Sequence, residues 1–152
     1  MVEDVLKVVA KGRGVEMTQG TFLPINGYHM YNNVQKDLSH EAAARLLLVQ
    51  GPLMATLWVN DEHMICTAEN NLVYRGSSDR EDDPNHTIVC FAYRFVGEEL
   101  HLRVLDNHTD NGPVRWVLYK CIDAIYLLTL KEPLTKELID RYRKKGEGEN
   151  FL

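Results

Sequence analysis

Cysteine is scarce in this chain. The three cysteines, Cys66, Cys90 and Cys121, are odd in number, widely spaced and without a CxxC pair, which argues against a disulfide framework and against a thiolate zinc knot. They are expected to behave as small buried hydrophobes in a reducing compartment, and the expected location is cytoplasmic. A long apolar run is also missing: nothing approaches the ~20 residues that a bilayer-spanning helix requires. The opening stretch MVEDVLKVVAKGRG places acidic residues first and charges throughout, unlike the basic-then-apolar layout of a signal peptide. Nor is positive charge in excess. Lys and Arg number 17 against 22 Asp and Glu, for a net charge of −5, whereas phosphate contacts need a clustered basic face. The one basic cluster, RYRKK at 141–145, reads as a solvated helix end. No nucleic-acid and no membrane partner is expected.

What is present is an ordinary globular composition, 45% hydrophobic and 26% charged over 152 residues, enough for one domain with its own core. Val2, Val5, Leu6 and Val9 share a face at helical spacing, and glycines at 12 and 14 end that helix, over 1–14. A second helix is predicted over 37–50, with Ser39 as N-cap and Gly51-Pro52 as its stop. The segment 52–130 reads mainly as strands. PLMATLWVN has no polar face, as a buried central strand requires. His86–Phe95 and Leu100–Leu105 form a hairpin turned at VGEE, and VRWVLYKC and AIYLLTL follow. The stretch 61–83 is polar and turn-rich, and 134–145 is a last amphipathic helix capped by Thr135. The fold class is α+β, a single domain over 1–152 with about five antiparallel strands and a packed helix.

An Asn-His-Thr triplet occurs twice, in PNHTIVCF at 84–91 and in VLDNHTDNG at 104–112, in a chain of six histidines. Both triplets fit the glycosylation pattern, but without a secretory signal they would not meet that machinery. His86 and His108 with Asp106 or Asp110 offer zinc-type donors, yet in no known zinc spacing. No metal site and no cofactor is expected. Trp58 and Trp116 lie in apolar runs and are expected in the core, and Cys66 is expected to be structural.

Several segments, in order, resemble the C-terminal half of papain-like cysteine peptidases. HEAAARLLLVQ followed by GPLMATLWV is similar to that family's helix, Gly-Pro turn and first barrel strand. NNLVYRG resembles its Tyr-Gly segment, PNHTIVCFAYRF its catalytic-histidine strand, and LRVLDNHTDNG the strand ending in the orienting asparagine. VEDVLKVVAKGRGVEM is similar to the family's helix and glycine turn. The resemblance implies a half-barrel papain-like fold, with His86 at the position of the catalytic histidine and Asn107 at that of its orienting asparagine.

The family's Cys-Gly-Ser/Ala-Cys-Trp signature, which precedes that histidine by ~130–150 residues, has no counterpart. Only Cys66 lies before His86, without that signature. The oxyanion glutamine of the same missing segment is absent too. His108-Thr109-Asp110 stands where the family has Ser-Trp-Gly. A histidine and its orienter without a thiolate cannot perform the family's acyl chemistry. The resemblance therefore implies a non-catalytic half domain, a protein-binding or regulatory module that meets a protein partner or a second copy through an exposed apolar face. The alternatives are a cysteine peptidase completed in trans by a chain bearing the nucleophile, and an unrelated small α+β domain.

Overall fold

The structure is a computed structural model, and it describes residues 2–12, 14–18, 21–67, 69–77, 84–107, 113–131, 135–137 and 140. The elements run α1 (Val2–Lys11), β1 (Val15–Thr18), β2 (Thr21–Leu23), β3 (Ile25–Asn32), α2 (His40–Gln50), β4 (Leu53–Trp58), α3 (Asp61–Ile65), β5 (Val73–Tyr74), β6 (Asn85–Val96), β7 (Glu99–Leu105), β8 (Val114–Leu118) and β9 (Ile122–Leu130). The expected helix over 134–145 falls largely outside the described residues.

The chain divides into two compact units, one of Met30–Leu127 and one of Met1–His29 with Leu128–Leu152. In the second, α1 buries Leu6 and half-buries Val2 and Val9. Val5, expected on that face, is exposed instead. Positions 2, 6 and 9 form one narrow helical stripe, and Val5 lies off its edge. Gly14 sits at φ +100°, where an added Cβ would run into the Leu23 carbonyl. Only glycine fits there.

In the larger unit α2 begins where expected. The Ser39 hydroxyl accepts the Ala42 N–H at 3.2 Å, and Gly51, at φ 85°, returns its N–H to the Leu47 carbonyl at 3.1 Å. Ala43, Ala44 and Leu47 are buried, and the helix packs on β6 and β7. Small alanines let it lie close to the strands.

The main sheet has seven strands in the order β3-β9-β4-β6-β7-β8-β5, and β1 and β2 form a separate two-stranded ladder. The expectation of about five antiparallel strands is corrected on both counts. β4 is antiparallel to β6 and β9, and β7 is antiparallel to β6 and β8, but β5 runs parallel to β8, so the sheet is mixed. β3 and the two-residue β5 carry almost no period-two signal of their own, and tertiary pairing alone makes them strands. As expected, β4 is interior, with Leu53, Ala55 and Leu57 almost fully buried. The hairpin turn is Gly97-Glu98.

A bulge between Cys90 and Ala92 shifts the β6–β7 register. Before it, His86, Ile88 and Cys90 share one face of β6. On β7 the same face carries Leu102 and Val104, because Cys90 pairs with Val104. On β8 it carries Arg115 and Val117, because Val104 pairs with Arg115. This alternation determines what meets His86.

Candidate functional site

Asp106 follows the last residue of β7, and strict alternation from Leu102 and Val104 turns its side chain into the core. Its N–H bonds the Pro113 carbonyl at 3.0 Å, which keeps the strand direction past the end of β7. The carboxylate is fully buried and, among the described residues, accepts hydrogen bonds from His63, His86 and Arg115. His86 Nε2 donates to Oδ1 at 2.7 Å, and His63 Nε2 and Arg115 Nε donate to Oδ2 at 2.9 and 2.7 Å. With a carboxylate between them, both imidazoles carry the hydrogen on Nε2.

Arg115, on β8 and almost fully buried, has its charge matched by Asp106. Its Nη1 also donates to the carbonyls of Met64 and Cys66, at 2.9 and 3.1 Å. A buried guanidinium needs this many partners, because each unmet donor would carry a desolvation cost. The two carbonyls belong to the end of α3. Arg115 therefore ties α3 to the same carboxylate that holds β6.

His63 is contributed by α3, a helix inside the stretch read from sequence as polar and turn-rich. Asn60 caps it through the Glu62 N–H, and His63 N–H bonds the Asn60 carbonyl. The His63 ring is wholly buried, edge-on to Tyr74 at 4.9 Å between centroids and 5.9 Å from His86. Burial lowers its pKa to about 4, against the opposing pull of the Asp106 carboxylate, so it is neutral at pH 7. Tyr74 is held in turn by its hydroxyl, which donates to the Trp58 carbonyl at 3.0 Å.

His86 and Asn107, the two residues singled out in the sequence, are not brought together. His86 lies inside, about one-sixth exposed, with its Nε2 on Asp106. Asn107 is exposed, one position further along, and so on the opposite face. His86 bonds Asp106 instead, and strand parity turns Asn107 to the other face. The other zinc-type candidates, His108 and Asp110, lie outside the described residues.

The thiols are no better placed for catalysis. Cys66, Cys90 and Cys121 are all buried. Burial pushes the Cys90 thiol up to about 12 and raises that of Cys66, the reverse of what a nucleophile needs. Trp116 departs from the expected core position. It is half-buried, with the Arg94 guanidinium 4.0 Å above its ring.

No protein-family model matches the chain, and no curated protein matches it. Among solved structures it is similar to proCathepsin B S9 from Trypanosoma congolense, with a TM-score of 0.53 and 12% identity. The fold is similar to that of a papain-like proenzyme. The match covers 73% of this chain and 38% of that one, so the chain spans well under half of its structural neighbour. At such identity the likeness concerns the fold alone. None of the described helices is long and apolar enough to cross a membrane.

The sequence named His86, and Asp106 beside it as a possible zinc-type donor, but neither His63 nor Arg115. Asp106 and Arg115 had a usable signal, since each continues the alternation of Leu102–Val104 or precedes that of Val117 by two. His63 had none, because nothing local to DEHMI says which strand its ring will meet.

Proposed function

We propose that this chain is a non-catalytic papain-like half domain acting as a protein-binding module. The observation that carries the proposal is the engagement of the Asp106 carboxylate by His63, His86 and Arg115, in a chain whose three thiols are all buried. A histidine tied into a buried ion-pair hub serves architecture, and the nucleophile for acyl transfer is not at hand. The surface suited to a partner is the apolar groove of about 400 Å³ between α2 and β6, lined by Leu47, Leu48, Gly51, Phe91, Ala92 and Tyr93. Leu48 and Phe91 are exposed there, and contiguous apolar surface marks interaction sites. A second copy of the chain is the first partner to test, because the groove carries no charge that would demand an unlike one. Light scattering across a concentration series should report a dimer that Leu48→Asp and Phe91→Asp abolish while circular dichroism stays unchanged. A monomer at every concentration would remove self-association as the function.

One observation favours the second reading, a cysteine peptidase completed in trans. His86 remains partly exposed while a carboxylate orients its Nε2, which is the arrangement a base offers to an incoming nucleophile. Under this reading the chain mixed with its complement becomes labelled by a thiol-directed peptidase inhibitor on the partner's cysteine. Labelling must disappear in His86→Gln. Absence of labelling in every such mixture rules the reading out.

A further inference from the structure

We propose that His63, His86 and Asp106 form a binding site for one divalent cation of the zinc class. The side chains come from α3, β6 and the end of β7, segments far apart in sequence, yet one ligand atom from each lies within 4.8 Å of the others. Two imidazole nitrogens and one carboxylate make a borderline donor set that suits zinc and disfavours magnesium or calcium, which ask for oxygen ligands. The site does not depend on whether a protein partner binds.

The geometry accepts the ion after a local rearrangement of the three side chains. A tetrahedral zinc with bonds of about 2.0–2.2 Å holds its ligands roughly 3.3 Å apart. His86 Nε2 stands 2.7 Å from Oδ1 and His63 Nε2 2.9 Å from Oδ2, and the ligand atoms lie within 4.8 Å of one another. The carboxylate contacts therefore open by about half an ångström while His63 swings from Oδ2 toward Oδ1 to close on the ion. Each Nε2 must turn a lone pair to the metal, and the hydrogen it now gives Asp106 moves to Nδ1 of the same neutral ring.

Arg115 limits where the ion sits. Its Nε occupies Oδ2, which leaves Oδ1 for the metal and makes Arg115 the outer hydrogen-bond partner that ligating carboxylates commonly have. Because Arg115 also holds the Met64 and Cys66 carbonyls, the ion would staple α3 to the β6–β7 hairpin. The only partly exposed ligand is His86, and the fourth ligand, a water, enters past it.

The full chain, stripped with EDTA and dialysed, is titrated with Zn2+ against a competing chelator and separately with Co2+. One equivalent of zinc is expected, with a rise in the thermal midpoint. Cobalt should give the visible bands of a four-coordinate site without a thiolate charge-transfer band, and zinc should displace it. His63→Gln and His86→Gln should each weaken binding by more than about 100-fold, beyond the 10–100-fold of an outer-shell change, while His29→Gln leaves it unaltered. Should the two variants fail to fold, 15N imidazole spectra of the unaltered chain decide the matter, two of its six histidines shifting at Nε2 on zinc addition. Folded protein that binds no stoichiometric zinc, a cobalt–thiolate band, or histidine signals that do not move would each overturn the site.

Discussion

Replacing Asp106 with Asn tests the hub most directly, because the change removes a charge and almost no volume. Whichever way the amide turns, its NH2 faces donors that now meet a carboxylate. A neutral His63 can answer by moving its hydrogen to the other ring nitrogen, but Arg115 cannot deprotonate. The guanidinium is then left charged, almost fully buried and without its counter-ion. Breaking a buried pair in this way costs about 3–5 kcal/mol, and the weakened bonds to the imidazoles add about 1 kcal/mol each at most. Urea unfolding at pH 7.5 in EDTA should show that loss at an unchanged m-value, with a thermal midpoint lower by roughly 10 °C. The double variant Asp106→Leu with Arg115→Met removes the charge imbalance and should regain at least about 2 kcal/mol over Asp106→Leu alone, since apolar replacement of a buried ion pair is often neutral or better. Strictly additive effects, or a cost for Asp106→Asn below about 1 kcal/mol, would show that the hub is not held by charge compensation.

His63 gives a pH dependence to the metal-free protein. Its folded pKa of about 4 lies below the ordinary 6.5, so between those values the unfolded chain binds the extra proton, and stability falls as pH drops through that window. The stability difference between the unaltered chain and His63→Gln should change by about 3 kcal/mol from pH 7.5 to pH 4, measured by urea unfolding. A difference independent of pH would mean that burial in the fold does not lower the pKa of His63. Gly76, at φ +96° with the Cys121 sulfur 2.9 Å from where a Cβ would stand, should lose about 1–3 kcal/mol on substitution by Ala. Ser39→Ala should cost about 1 kcal/mol through the lost cap of α2. The three thiols should resist a thiol reagent at neutral pH and react together on unfolding; rapid reaction of Cys90 in the native state would contradict its burial.

The local rules were largely legible. The Ser39 cap and Gly51 stop placed α2, and the apolar run at 53–58 marked an interior strand, because caps and unbroken hydrophobicity act within a few residues. The hairpin of β6 and β7 was legible for the same reason. β3 and β5 were not. Their pairing depends on neighbours distant in sequence, and two residues of β5 have no period to display.

At the site the division is sharper. The chain's own alternation, Leu102, Val104, Asp106, already determines that Asp106 and not Asn107 faces the core, and the same parity determines Arg115. Those two buried opposite charges must then meet, since neither could be buried alone. What only the tertiary structure decided is the arrival of His63. A five-residue helix in a polar stretch carries no mark of its destination, and the closure of β5 on β8 with Tyr74 beneath it brings that ring to the carboxylate. Sequence governs which face a side chain takes, but packing between distant segments governs which side chains share it.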